Sequence, residues 1–332
     1  MKNNLKIGIV ARVDLGGLGH QAYSFWKHIP QISRELIVLS GIGDDLYRYP
    51  KGTICQYGDP TLEDIDEFLQ DIDIVIAFET AYNWNIFSKA KEKGIKIILI
   101  PNYEWTTPRL PVEPDLYLCL SKLDYDLMPE PKVFIQMPVD RKEFPFQLRK
   151  KAETFVFNNG AGGSLNRNGL SELLQAIPLV KSKVRFLIRS QVKFKPPQDP
   201  RVEVRIGAFT HESLYKEGDM FIFPHKFDGL SLPIQEALSA GMPVISTDIY
   251  PHNTYLPKEW LFKPAGNIKG QVFRTRRMID IAILDPQKIA EKIDEFAGKD
   301  ITEESKKADK IAESISWDNL QNKFIEIFRK LC

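Results

Sequence analysis

The chain has 332 residues, 45 of them lysine or arginine and 44 aspartate or glutamate, for a formal net charge of +1. Its length suits two domains better than one, and the balanced charge excludes nucleic-acid binding by bulk electrostatics while leaving room for a local basic groove. Cys55, Cys119 and Cys332 are widely spaced and odd in number, which fits neither a metal site nor a disulfide framework. With no apolar run of about 18 residues and no signal-peptide pattern at Met1 to Asn4, the sequence implies a cytoplasmic protein without a membrane span.

In chain order, Lys6 to Val10, Glu35 to Leu39, Ile72 to Phe78, Lys96 to Ile100 and Leu116 to Leu120 are short apolar runs rich in β-branched residues. They read as buried parallel strands. Gln21 to His28, Leu62 to Gln70 and Trp84 to Lys93 carry helical periodicity between them, which makes the first half a doubly wound α/β domain. Pro138 to Glu153 is rich in proline and charge and separates the halves. A second alternation follows, with strands at Phe155 to Asn158, Val184 to Ile188, Arg201 to Arg205, Met220 to Phe223 and Val244 to Ser246. Helices are expected at Leu170 to Ile177 and His211 to Lys216, and the Lys/Glu-rich run from Asp300 to Glu313 reads as a solvated helix face. From Trp317 the apolar residues Leu320, Phe324, Ile327, Phe328 and Leu331 recur at helical spacing.

The most informative segment runs from Asp219 to Thr247, DMFIFPHKFDGLSLPIQEALSAGMPVIST. A short strand, the turn Asp228-Gly229-Leu230-Ser231-Leu232-Pro233, a helix containing Glu236, a stop at Gly241 and a second strand make a βαβ unit. Ligands of such units sit at the carboxyl ends of the strands, and a helix N-terminus there is a natural seat for phosphate.

This segment resembles the donor-binding motif of the retaining GT-B glycosyltransferases of the sucrose-synthase-like, group 1 superfamily. Asp228 and Glu236 keep that family's pair of acids with seven residues between them, Pro233 keeps its place, and Ala240-Gly241-Met242-Pro243-Val244 follows. Two positions depart from the pattern: Asp228 replaces the usual Glu, and Ser231 stands where a second Gly is expected. The resemblance implies two Rossmann-like doubly wound domains facing across a cleft. Residues 1–145 would be the acceptor-side domain and 146–316 the nucleotide-sugar-binding domain, with helix 317–332, opened by Ser316-Trp317, packing back on the first.

It also implies roles. Asp228 with Gly229, Leu230 and Ser231 suits the donor sugar and β-phosphate, and Glu236 suits the ribose hydroxyls, which one carboxylate can accept together. The plainer alternative is that Asp228 caps the helix and Glu236 is a surface acid. Gly16 and Gly17, in the loop Asp14-Leu15-Gly16-Gly17-Leu18-Gly19, would let backbone approach the diphosphate, or form only a tight turn. The stretch Asn158 to Gly169 holds Gly163 and Asn168 where the family has its Arg and Lys, so Arg167 or Arg189 is left to supply the cation for the diphosphate. Glu79, Tyr103 and Glu104 end strands on the acceptor side, where a carboxylate would orient or deprotonate an acceptor hydroxyl. Asp228, Glu104 and Arg167 are thus the candidate catalytic residues. Asp71-Ile72-Asp73 and Asp124-Tyr125-Asp126 mimic a D-x-D metal motif but have no companions in sequence, and the histidines form no pattern, so no metal and no cofactor are expected. His225 reads as a loop histidine without a role.

Transfer from a nucleotide-diphosphate sugar, UDP-sugar by default, to an acceptor hydroxyl is the expected function. One alternative is a catalytically weak or inactive nucleotide-sugar-binding protein. Another concerns the acceptor, which would be a hydroxylated nucleic-acid base; basic residues gather at Lys193, Lys195, Arg201 and Arg205, and again at Arg274, Arg276 and Arg277.

Overall fold

The computed structural model describes residues 5–11, 16–38, 59–160, 166–272 and 274–332. Its chain divides into two compact units, the first comprising Met1–Met137, Val272–Arg277 and Trp317–Cys332, the second Pro138–Gln271 and Met278–Ser316.

The first unit is built on six parallel strands, β1 (Ile7–Ala11), β2 (Ile32–Val38), β3 (Ile74–Phe78), β4 (Lys96–Ile100), β5 (Leu116–Cys119) and β6 (Lys132–Phe134). They lie in the order β2-β1-β3-β4-β5-β6. Every residue of β1 and β3 is buried, which is why these strands are continuously apolar and do not alternate. The helices α1 (Gly17–His28), α2 (Leu62–Phe68), α3 (Asn85–Glu92) and α4 (Lys122–Leu127) connect them. α2 begins where Thr61 and Asp64 satisfy each other's backbone in a capping box.

The second unit repeats the plan with β7 (Thr154–Asn159), β8 (Arg185–Ser190), β9 (Val202–Ile206), β10 (Met220–Phe223), β11 (Val244–Thr247) and β12 (Leu261–Phe262). All are parallel, in the order β12-β11-β10-β7-β8-β9. The expected helix after β9 is a short 3-10 turn at His211–Tyr215. An antiparallel hairpin, β13 (Gly266–Gln271) with β14 (Met278–Ile283), was not expected from the sequence. Its strands carry two glycines and alternate weakly, so no period stands out. The helices are α5 (Leu170–Ala176), α6 (Leu232–Ser239), α7 (Pro286–Phe296) and α8 (Thr302–Ser314). In α8 only Ser305, Ala308 and Ala312 are buried, one stripe of small residues under a charged outer face.

The last helix, α9 (Trp317–Leu331), belongs to the first unit. Trp317 Nε1 donates to Ser24 Oγ at 2.6 Å, and its ring stacks on His28. Phe25 meets both Trp317 and Phe324 edge-on, with centroids 5.2 Å apart in each pair. Aromatic burial of this kind, with the indole N–H satisfied, anchors the helix firmly. Cys119 is buried and Cys332 exposed; Cys55 lies outside the described residues.

Candidate active site

In the second sheet the strand order reverses at β7, which has β10 on one side and β8 on the other. The loops leaving β7 and β10 therefore diverge around one crevice, the usual ligand seat of such a sheet. The first loop carries Arg167 and the second Asp228. They are tied together, because the Lys226 amide donates to the Arg167 carbonyl at 2.8 Å. This approach requires glycine at 169. Its φ is +72°, and a Cβ there would stand 2.2 Å from the Pro224 carbonyl oxygen. Asn168, in the place of the family's Lys, is buried and donates to Asn159, which in turn donates to Ser190 Oγ at 2.7 Å. It anchors the loop and supplies no charge. Gly163 lies outside the described residues.

Asp228 is buried, and His225 Nδ1 lies 2.6 Å from its Oδ2. The His225 ring stacks on Phe223, centroids 3.6 Å apart. Burial alone would raise the Asp228 carboxyl. The interaction with His225, through space and by hydrogen bond, and the charge of Arg167 outweigh it and hold the group below the ordinary carboxylate range. Asp228 is therefore ionised at neutral pH, and the half-buried Arg167 is one source of the field that keeps it so.

Ser231 is the N-cap of α6 at φ +56°, ψ 49°, and no side chain caps the helix, so Asp228 is not a helix cap. A non-glycine residue in this left-handed region costs about 1 kcal/mol. The Ser231 hydroxyl finds a compensating partner in His252, whose Nε2 lies 2.6 Å away. On the other side of that ring, Nδ1 lies 3.0 Å from Ser246 Oγ, which donates to the Phe223 carbonyl at 3.2 Å. Since Ser246 donates to a carbonyl, it accepts from Nδ1–H, and Nε2 is left to accept from Ser231. Burial pushes the His252 pKa down to about 4 against the opposing pull of Asp228, so the ring is neutral. Gly229 is buried and Leu230 half-buried in the same turn.

Glu236, in the second turn of α6, is buried and accepts from the Tyr215 hydroxyl at 2.7 Å; it is not a surface acid. Burial first, and then the Glu236 charge, pushes Tyr215 well above its ordinary value. The phenol therefore stays protonated and fixes the carboxylate. Asn158, at the end of β7, lies beside Tyr215. Arg189 donates to the Leu214 carbonyl at 3.0 Å and to Glu217 at 3.2 Å. Burial lowers its pKa, with Glu217 opposing. Of the two arginines, Arg167 is the one whose charge acts on Asp228, and Arg189 holds the segment that presents Tyr215.

In the first unit, Gly16 precedes α1 without a side-chain cap and Gly17 opens the helix; Asp14 and Leu15 lie outside the described residues. Glu79 follows β3 at φ +64° and accepts from Asn102 Nδ2 at 2.9 Å. Tyr103 donates its amide to Asp124 Oδ1 at 2.7 Å, and Ser121 donates to Oδ2 at 2.6 Å. Asp124 is wholly buried, and burial pushes it up to about 7 although both hydrogen bonds oppose the shift. It supports the loop that carries Tyr103 and Glu104. Glu104 is itself buried, and its carbonyl accepts from Thr275 Oγ1 at 2.7 Å. Arg277 Nε donates to the Thr106 carbonyl at 3.1 Å, and its guanidinium lies 4.5 Å from the Tyr103 ring centroid. Among the described residues, no group of three or more His, Cys, Asp or Glu is placed to hold a metal ion. No helix of the described residues is long and apolar enough to cross a membrane.

His225, His252, Tyr215 and Thr275 gained no role from the sequence. Tyr215, His252 and Thr275 are brought in from other elements, and His225 lies three residues before Asp228 in the same loop, where no period singles it out.

Residues 158–273 match the family model described as glycosyl transferases group 1. Among curated proteins no sequence matches. Solved structures that resemble the chain include a glycosyltransferase from Rickettsia africae, at TM-score 0.68 and 14% identity over 99% of both chains. Anabaena HepE, in complex with UDP and glucose, matches at 0.67 and 11% identity over 98% of this chain and 100% of its own. Sucrose-phosphate synthase from Thermosynechococcus elongatus matches at 0.67 and 13% over 98% and 99%. The fold is thus GT-B, with two Rossmann-like domains. The stretch that matches the group 1 glycosyl transferase model lies almost wholly in its second unit.

Proposed function

We propose that this protein is a retaining glycosyltransferase that moves a sugar from a nucleotide-diphosphate sugar to an acceptor hydroxyl without a metal ion. The observation that carries this reading is the switch-point crevice of the second unit. There an ionised Asp228, an uncapped helix start and Arg167 converge within the segment that matches the family. Glu236, oriented by Tyr215, would accept from the donor ribose. Arg167 and the amides of Gly229 to Ser231 would take the charge that grows on the departing diphosphate, with Gly16 and Gly17 admitting its backbone contacts. Asp228 would hold a sugar hydroxyl, and Glu104 or Glu79 would orient the acceptor. In a retaining transfer the bond from C1 to the diphosphate oxygen breaks and the acceptor oxygen joins C1 on the same face. The hydroxyl proton leaves to the departing phosphate.

UDP-sugar is the donor we favour, because HepE is described with UDP and with UDP-glucose. The cytoplasm, where nucleotide sugars are available, remains the proposed location. A thermal-shift panel of nucleotides tests the donor site, since a ligand at a hundred times its Kd stabilises by about 2.7 kcal/mol. The anomeric configuration of the product, read by NMR, tests retention, and activity in EDTA tests metal independence. Nucleotide binding with neither transfer nor donor hydrolysis would favour the inactive binding protein. Asp228 in place of Glu and Asn168 in place of Lys are what favour that second reading.

A further inference from the structure

Near the start of the second unit, the passage from Phe144 to Arg149 closes on two segments that build the candidate site. One is the C-terminal end of α6, the helix that carries Glu236. Ser239 Oγ donates to the Phe144 carbonyl at 2.7 Å, and the Gln147 amide donates to the Ala240 carbonyl at 3.4 Å. Gly241 admits this approach: its φ is +76°, and a Cβ there would collide with the Gln147 carbonyl oxygen and the Phe146 ring. The Arg149 amide donates to Ser305 Oγ at 3.0 Å, and that hydroxyl donates to the Gly241 carbonyl at 2.7 Å. The other segment runs from Tyr215 to Gly218, and its first residue supplies the phenol bound to Glu236. The Phe144 ring meets the Tyr215 ring edge-on, with centroids 5.7 Å apart.

The buried Arg149 side chain joins the two segments. Its Nη2 donates to the Tyr215 carbonyl at 2.7 Å and to the Ala240 carbonyl at 3.3 Å, while Nη1 donates to the Gly218 carbonyl at 2.7 Å. One guanidinium nitrogen thus bridges the backbone of the residue that donates to Glu236 and the backbone of the helix that carries Glu236. A helix end leaves carbonyls without intrahelical partners, and the helix dipole favours a cation beside them. The planar guanidinium suits this place because its donors point in fixed directions. Burial lowers the Arg149 pKa, with the charge of Asp219 opposing, and the group still keeps its proton at neutral pH. Filling the space would not call for a charge, since an apolar side chain of similar volume avoids the desolvation that a buried cation suffers. What the fork adds is a fixed distance between two stretches of backbone.

We propose that Arg149 is a positioning residue for donor recognition, holding Tyr215 and Glu236 in the one relative placement in which the carboxylate accepts from both ribose hydroxyls of the nucleotide. The inference rests on the ribose reading of Glu236. Arg149 acts through the backbone of Tyr215 and α6, without touching the nucleotide. Such an arrangement tolerates little displacement, because hydrogen bonds weaken steeply away from their preferred distance and angle.

The test uses the full chain, with UDP and 2′,3′-dideoxy-UDP as probes, calorimetry for both affinities and circular dichroism for the fold. The parent should bind UDP at least about tenfold more tightly than the dideoxy compound, the difference made by the ribose hydroxyls on a charged acceptor. Arg149→Met should weaken UDP about tenfold while leaving the dideoxy affinity within about twofold, so that the preference is largely lost. Arg149→Lys keeps the charge but not the fork, and its preference should fall between those of the parent and Arg149→Met. A parent that binds both nucleotides equally, or neither, overturns the ribose reading and the role of Arg149 with it. A parent that prefers UDP, beside a folded Arg149→Met protein with the same preference or with both affinities lowered in parallel, overturns the role of Arg149 alone. If Arg149→Met does not fold, Arg149→Lys decides: a folded protein with reduced preference supports the inference, and an unfolded one, or one with the parent's preference, overturns it.

Discussion

Acidification should expose the buried imidazole of His252. Its pKa is pushed from 6.5 to about 4, because it is completely buried while Asp228 offsets only part of that cost. In the unfolded chain the ring takes a proton below about 6.5; in the folded protein it does so only below about 4. Between these values unfolding binds a proton, so stability falls as the pH falls. The gap of roughly 2.5 units at 1.36 kcal/mol each amounts to about 3 kcal/mol, of which about 2 are lost between pH 7 and pH 4.5. Urea unfolding at those two pH values should therefore show the parent losing about 2 kcal/mol more than His252→Asn, which has no imidazole to charge. NMR of the ring should show no titration of His252 above about pH 5.5. Equal acid losses in the two proteins, or a ring that titrates near 6.5, would refute the neutral, doubly bonded imidazole and the hydroxyl orientation inferred for Ser231.

Glu236→Gln keeps a partner for Tyr215 but removes a charged acceptor, and should weaken UDP binding by about tenfold or more by calorimetry; an unchanged Kd would remove the ribose role. Asp228→Asn should depress kcat/KM for transfer by about a hundredfold while changing UDP affinity far less, and equal losses in both would point to a structural acid. Gly169→Ala combines φ +72° with a 2.2 Å clash on the Pro224 carbonyl. It should cost more than about 2 kcal/mol of stability and reduce turnover through misplacement of Arg167; a stable, fully active variant would show that the loop after β7 does not position that arginine.

The parallel strands were legible because a strand buried on both faces must be continuously apolar, as MFIF and IVIAF are. The motif from Asp228 to Glu236 was legible because strand, turn and helix fix its spacing. Burial of the site was not. Glu236 reads as a polar residue on a helix, and only the fold brings Tyr215, 21 residues earlier, onto its carboxylate. The same holds for His225, which passed for an idle loop residue although it stacks on Phe223 and sits against Asp228. For the hairpin β13–β14 the obstacle was local: Gly266 and Gly270 interrupt one strand, and the basic tip looked like an ordinary solvated cluster. Its attachment to Glu104, 171 positions away, is a tertiary fact.

The turn between β10 and α6 also constrains how this site can diverge. Asp228 leans on His225 and Ser231 on His252 through short contacts, and the Asp228 charge acts on His252, so substitutions within this set should be non-additive. Asp228→Glu alone lengthens a side chain already 2.6 Å from His225, and Ser231→Gly alone leaves a buried imidazole nitrogen with no donor. Restoring the family residues at 228 and 231 one at a time therefore passes through impaired intermediates, whereas exchange of both together with their histidine partners need not. The site is an epistatic block that drifts as a unit, and a chimera should transplant it whole.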